Sequence, residues 1–453
     1  MKFSTEFIQQ VQELMVAELE AQVEEHPEPK IDDIELMLRQ MLSQTGAACL
    51  EAYVTAQDAP YPEPTIPCSC GGEAKYQFRR EGKLLSVFDW VSYRRAYYVC
   101  PDCHAGQYPL DERLGLEPGQ VTAGLASLLG IAGVETSFER GSAIVDRFLF
   151  VQVSENTVRK ETQSFGQLQA TREKEWIVES QDAEHYRERH RTAKDRPKRL
   201  YGSIDGAHVP MAKEWREMKV GCWYLAEPIS KGQVPAGRRD RVRESGALRA
   251  QEISYYSDLL PAKEFGSLLW ATGCRRGADL AEEVVFVADG AAWIWKLVSF
   301  YFPEAIQIVD WYHAETYLER VAEEALGQNG QLRIAWQEQV TEALWEGRID
   351  AVLEACGEWA DHPRAGQAAR EAISYYSNNR KRLDYARFRQ QGYLIGSGTV
   401  ESGCKQIVTQ RLKRSGARWT EEGARATGKA RAAWLSGQWD QLTELRGQLP
   451  LAA

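Results

Sequence analysis

Apolar residues recur at three- and four-residue spacing from Thr5 to about Val23 (Phe7, Val11, Leu14, Met15) and from Ile31 to Val54 (Ile34, Met37, Leu38, Met41, Leu42). That spacing predicts two amphipathic helices split by HPEPK, residues 26–30. Pro62, Pro64 and Pro67 then break the helical period, and from Lys75 to Val99 polar and apolar positions alternate, predicting a short antiparallel sheet. After PLDERLGL (Pro109 to Leu116) the pattern turns helical to about Lys174, and Ser154 opens the second helix of a candidate helix-turn-helix. From Arg199 the period changes again. LYGSIDGAHVP, MKVGCWYLA and AQEISYYSD read as three strands, followed by a helix from about Ala262 to Thr272. VVFVAD, the helix AAWIWKLVSFYF and the strand AIQIVD complete the order of a mixed sheet flanked by helices, with acids at strand ends. His313 to about Arg389 shows helical periodicity alone, and GYLIGSGTVESG then turns into a basic helix. The fold class is therefore multi-domain α/β.

At 453 residues the chain has room for about three domains. No run approaches the ~18 apolar residues of a membrane span. Acids and amides interrupt the first residues, where a secretory signal needs a continuous apolar stretch, so the expected location is cytoplasmic. The net charge of −10 lies entirely in residues 1–64, with three basic residues against thirteen acids, so the remainder is neutral. Within it, Tyr186–Leu200 carries seven Lys/Arg against two acids and Lys405–Arg431 eight against two. These stretches are compatible with a nucleic-acid partner, although a solvated helix face gives the same composition.

Four of the nine cysteines pair as Cys68-Ser-Cys70 and Cys100-Pro-Asp-Cys103 around the strand segment. Two turns each offering two thiolates form a zinc-ribbon-like layout for a structural Zn²⁺, with His104 an alternative ligand. The first knuckle is one residue shorter than Cys-x-x-Cys. Cys49, Cys222, Cys274, Cys356 and Cys404 read as buried small hydrophobes. Asp205 and Asp289 each follow an apolar strand and precede glycine, the pattern of a turn or of a shared cleft. With Glu401 in GSGTVESGCK they make three hard oxygen donors suited to Mg²⁺ or Mn²⁺.

RRAYYVCPDCHAGQYPLDERLGL, SIDGAHVP with WREMKVG, FVADGAAWIWKLVSFYFPEAIQIVDWYHAETYL and GSGTVESGCKQIVTQRLKRSGARW occur in that order between Cys68 and Trp419. In these stretches the chain resembles the DDE transposases of bacterial insertion sequences, specifically the Kra-type insertion-sequence family, within the RNase H-like superfamily that includes Mutator-type elements.

The resemblance implies an RNase H-like catalytic core, interrupted by an all-helical insertion, that carries out DNA transposition and recombination for a mobile element. It implies Asp205, Asp289 and Glu401 as the catalytic triad holding two Mg²⁺ or Mn²⁺ ions. Asp310-Trp311-Tyr312-His313 matches the family's acid-x-x-His signature. Asp310 thus competes with Asp289 for the second triad position, and Asp289, after the longer strand, is preferred. Lys405, Arg411, Lys413, Arg414 and Arg418 are expected on one helix facing DNA, while Trp419 and the tryptophans of the insertion are expected mainly in the core. The expected partners are double-stranded DNA, both element ends and target, and a second copy of the chain. The expected divisions are 1–60 (acidic helices), 61–115 (zinc-ribbon-like module), 116–197 (helical, candidate helix-turn-helix), 198–312 (first part of the core), 313–392 (insertion) and 393–453 (second part of the core with the basic helix). A metal nuclease that cuts without joining and an inactive DNA-binding copy are the rival readings.

Overall fold

A computed structural model of the chain describes residues 5–25, 30–58, 62–116, 121–194, 196–228, 248–327 and 330–448. Most of the HPEPK break lies outside them, as do residues 117–120 at the head of the expected helical region. The chain divides into two compact units, one running to Leu168 and also including the final helix Trp439–Gln448, the other spanning Gln169–Gln438.

In the first unit, helices α1 (Thr5–Glu25) and α2 (Ile31–Gln57) precede a four-stranded antiparallel sheet, β1 (Thr65–Pro67), β2 (Glu73–Ser86), β3 (Asp89–Val99) and β4 (Gly106–Gln107), in that spatial order. The β2–β3 hairpin turns at Ser86, whose hydroxyl donates to the Asp89 carbonyl at 2.9 Å and accepts from the Phe88 N–H at 3.1 Å. At its open end Cys68, Ala74, Ala96, Tyr98 and Cys100 form a small core. Towards the turn, Leu84, Val91 and Tyr93 pack with Val54 of α2 and Leu110 of α3 (Pro109–Leu114). The helices α4 (Ala123–Glu135), α5 (Phe138–Leu149) and α6 (Glu155–Gln181) start at Thr122, Ser137 and Ser154, whose hydroxyls accept the first free N–H groups. Val145, Val151 and Val158 bury the α5–α6 turn against Leu125 and Leu129, so the expected two-helix pair is present.

The helix α7 (Ala183–Thr192) carries the helical region well past Lys174. The second unit is built on a five-stranded mixed sheet: β5 (Arg199–Pro210), β6 (Trp215–Pro228), β7 (Leu248–Asp258), β8 (Glu283–Ala288) and β9 (Ile306–Val309), in spatial order β7-β6-β5-β8-β9. The first three pair antiparallel, whereas β8 and β9 join in parallel. Such parallel neighbours need covered faces. The helices α8 (Ala262–Arg275) and α9 (Ala292–Tyr301) supply cover, with Trp223 packed edge-on against Phe286 and Phe302 and donating from its indole to Thr272.

The helical segment after β9 begins at Trp311, two residues before the expected boundary. It comprises α10 (Trp311–Leu326), α11 (Gly330–Trp345), α12 (Ile349–Gly357), α13 (Gly366–Asn379), a 3-10 turn at Arg380–Arg382 and α14 (Tyr385–Gln390). Trp311 sits edge-on to both Trp345 and Tyr385 at 5.0 Å. Trp345 is buried, while Trp336 and Trp359 are half-buried. The chain returns to the sheet through α15 (Gly398–Cys404), a π-helical turn (Lys405–Leu412) and α16 (Glu421–Leu435).

Both basic stretches give up part of their charge to ion pairs inside this unit. Arg189 pairs with Asp279 at 3.0 Å and Arg199 with Glu283 at 2.7 Å. Arg425 pairs with Asp258, and buried Lys429 reaches both Asp258 and Glu173. Among the described residues no helix is long and apolar enough to cross a membrane.

Candidate functional site

The parallel ladders fix the level of the acids. Arg199 to Gly202 of β5 pair with Glu283 to Phe286 of β8, so the same register continued three residues sets Asp205 level with Asp289. Val285 to Ala288 pair with Ile306 to Val309 of β9, which sets Asp289 level with Asp310. Three adjacent strands thus bring an aspartate to one edge, about 5 Å apart from strand to strand. Asp289 and Asp310 follow their strands, as expected. Asp205 does not: it lies within β5, opposite Val220 of β6, because β5 runs on with β6 after β8 has ended.

Glu401 approaches this edge from α15. Asp205 feels both neighbours: burial raises its pKa first, and Asp289 and Glu401 raise it further, against the Gly206 N–H at 2.7 Å and the Cys404 thiol, which favour the charged form. None of Asp205, Asp289 and Glu401 forms an ion pair among the described residues. Their carboxylates are neighbours without closing into a tight cage, since the one group of three or more potential ligands within 4.8 Å among the described residues is the cysteine cluster. Carboxylate oxygens are the donor type that hard divalent cations take, and a cation near this edge would relieve the repulsion among the acids.

Asp310 has a different environment. It is fully buried, and its two carboxylate oxygens accept the N–H groups of His313 at 2.6 Å and of Ser397. Ser397 in turn donates its hydroxyl to Glu401 at 3.1 Å. Asp310 therefore caps α10 and fixes the turn that holds Glu401, with both oxygens already occupied. His313 contributes its backbone N–H to this brace, while its ring lies against Tyr317 and Tyr375. Tyr317 and Tyr375 stack at 4.0 Å beside Asp289, and Gly290 is required there because a Cβ would strike the Tyr375 ring.

The basic residues after Glu401 divide. Lys405 is exposed at the start of the π-helical turn, but that turn ends at Leu412, closed by the Lys413 N–H to the Val408 carbonyl at 2.8 Å. Lys413, Arg414 and Arg418 thus lie beyond it in a loop, not on one continuous helix. Lys413 is exposed with its ammonium 5.3 Å from the Trp215 ring, Arg414 is half-buried and donates to the Gln410 carbonyl, and Arg418 is exposed. Arg411 is buried against Trp419, where burial and then Arg414 and Arg431 push its pKa down to about 9; it is a core residue and not a phosphate contact. Trp419 is buried, its indole donating to the Leu412 carbonyl.

Sequence reasoning missed Ser397, Tyr375 and the role of Cys404. Ser397 stands one helical turn before Glu401, a spacing that could have indicated it. Cys404 is buried as expected, but its thiol faces Asp205, and burial followed by that carboxylate raises its pKa. Cys222, Cys274 and Cys356 are buried, and Cys49 is half-buried.

In the first unit the sulfurs of Cys68, Cys70, Cys100 and Cys103 all lie within 4.8 Å of one another, with Cys68–Cys103 and Cys70–Cys100 at 3.6 Å. Tetrahedral Zn–S bonds of ~2.3 Å require sulfurs about 3.8 Å apart, so the cluster can hold a metal such as zinc. The short first knuckle closes because Gly71 adopts φ +90° and donates to the Cys68 carbonyl. His104 closes the second knuckle with its backbone, and four sulfurs gather without its ring.

The model of an uncharacterised protein family, UPF0236, matches residues 277–448. That match takes in Asp289, Asp310 and Glu401 and ends short of Asp205 and the cysteine cluster. No curated protein matches the chain.

Proposed function

We propose that the chain is a DDE-type DNA transposase whose second unit is an RNase H-like core interrupted by the helical segment from Trp311 to Gln390. The observation that carries the reading is the convergence of three carboxylates with no ion pair among the described residues, Asp205 and Asp289 level on adjacent parallel strands and Glu401 delivered from 112 residues further along the chain. Asp205, which feels both other acids, would hold the metal together with Asp289 and Glu401. Bound Mg²⁺ or Mn²⁺, as two ions, would supply Lewis-acid activation of attacking and leaving oxygens.

The chain's own residues supply positioning. Asp310 fixes Ser397, Ser397 orients Glu401, and exposed Lys405 offers a phosphate contact one helical turn from Glu401. Water attack on a phosphodiester at the element end frees a 3′-hydroxyl, which then attacks the target strand in line, with no covalent protein–DNA intermediate. Two ends processed together call for at least a dimer bound to double-stranded DNA. The cysteine cluster, with four protein ligands and no open position, takes a structural Zn²⁺.

The test is a strand-transfer assay with Mg²⁺ or Mn²⁺, using the DNA flanking the gene as donor and a supercoiled plasmid as target. Joined products that are lost in Asp205→Asn, Asp289→Asn and Glu401→Gln support the reading. Cleavage without joining supports a nuclease, and DNA binding without either supports an inactive DNA-binding copy. An active Asp289→Asn beside an inert, folded Asp310→Asn would transfer the second triad position to Asp310.

A further inference from the structure

Directly after Asp289 the surface opens into a groove between α9 and α13. It consists of two adjoining cavities of about 970 Å³ and 650 Å³ that share Ser299, Asn378 and Arg382, the first beginning at Gly290. Five basic residues, Lys296, Arg380, Lys381, Arg382 and Arg387, line it against one acid, Glu371, and of these Arg380 pairs with Asp350 and Arg387 with Asp384. Glu371 is already paired with Arg320 at 2.6 Å. Lys296 and Lys381 are exposed and form no ion pair among the described residues.

Two residues that line the first cavity, Trp295 and Tyr375, are more than nine-tenths buried, and the indole N–H of one and the hydroxyl of the other are enclosed without a hydrogen-bond partner. Buried donors without acceptors are costly unless a ligand supplies the acceptors.

We infer that this groove binds the sugar-phosphate backbone of the DNA strand leaving the cleavage site. The ligand must be rich in acceptors, anionic and long enough to run through both cavities from Asp289, which a phosphodiester chain is and a single small anion is not. Tyr375 and Trp295 donate to its oxygens nearest the acids, and the lysines neutralise phosphates further along. The inference rests on the reading of Asp205, Asp289 and Glu401 as a phosphodiester-cleaving site.

The experiment measures fluorescence anisotropy of the full-length protein with a labelled 30-nucleotide single strand and the matching duplex across a salt series, with metal-dependent cleavage by the wild type read in parallel. Lys296→Ala/Lys381→Ala is expected to weaken binding in at least one of the two DNAs by about 10-fold and to flatten the log–log salt dependence by about one to two. Lys296→Arg/Lys381→Arg is expected to restore both, and Tyr375→Phe to weaken binding about 2- to 5-fold with the slope unchanged. Wild-type affinity and slope in Lys296→Ala/Lys381→Ala would overturn the groove assignment while continued wild-type cleavage leaves the functional reading intact. Displacement of the strand by dAMP as readily as by unlabelled strand would also overturn it, in favour of a small-anion site. A wild-type protein that neither binds nor cleaves DNA would remove both readings together.

Discussion

An aspartate held between Asp289 and Glu401 keeps its proton to higher pH than an exposed one, and for Asp205 this has a stability consequence of definite sign. Its folded pKa is raised above the ordinary 3.8 by burial first and by the two acids next. The folded chain therefore binds the proton more tightly than the unfolded chain. The resulting contribution is full below the unfolded value and lost as pH rises through the folded one, so at pH 7 the ionised Asp205 costs stability. Asp205→Asn keeps an oxygen to accept the Gly206 N–H and removes the charge. In metal-free buffer at pH 7 it should raise the melting temperature of this unit. Mg²⁺ should raise the melting temperature of the wild type and leave Asp205→Asn nearly unmoved. Scanning calorimetry of both proteins with and without Mg²⁺ checks this, and equal metal shifts would show that Asp205 is not a ligand. Asp310 is instead held by two backbone N–H groups, one on each oxygen, as the cap of α10.

At the scale of elements, the knuckles carry the argument. Gly71 and His104 each take a positive φ at the knuckles, which glycine adopts freely, and the four sulfurs so gathered are held together best when they share a cation as thiolates. Zinc removal at pH 7 by a strong chelator should therefore release one equivalent of metal and loosen the open end of the β2–β3 hairpin. Cys70→Ser should bind zinc more weakly than the wild type. Metal analysis together with hydrogen exchange at Ala96 to Cys100 checks both, and protein purified without chelator that holds no zinc would remove the ribbon reading. These elements were legible in the sequence because thiol spacing and alternation are local. The five strands of the second unit were equally legible, since each is a short apolar run bounded by turn residues. The π-helical turn was not, because its widened hydrogen bonding leaves an ordinary apolar pattern at Ile407, Val408 and Leu412. The fate of the basic stretches was also hidden: whether Lys429 meets solvent depends on Asp258 and Glu173, carboxylates far away in sequence that no count of local charge reveals.

At the scale of the whole chain, long-range returns decide what is built. Glu401 could be tied to Asp205 from sequence only through resemblance, since the intervening helices erase any spacing rule, and the level of Asp205, Asp289 and Asp310 follows from strand registers that sequence does not encode locally. The last described helix is a second such return. Although it follows α16 directly, Trp439–Gln448 belongs with the residues up to Leu168. Trp439 stacks on Phe165 at 4.5 Å and donates its indole N–H to Ser127 at 2.9 Å. Gly130 leaves the room for its ring. Arg446 pairs with nearly buried Glu161 at 2.6 Å, so the helix is fastened at both ends to α4 and α6. Trp439→Ala removes a buried indole, which costs about 3–5 kcal/mol. The loss should fall on the first unit, with amide exchange of Leu125 to Leu129 and of Val158 to Phe165 faster by about 100-fold or more, because each 1.4 kcal/mol is a factor of ten. Exchange in β5 and β8 should keep its wild-type rate. Faster exchange in both regions alike would mean that the final helix supports the sheet as much as α4 and α6, and unchanged exchange would mean that the stacked indole contributes nothing to holding them.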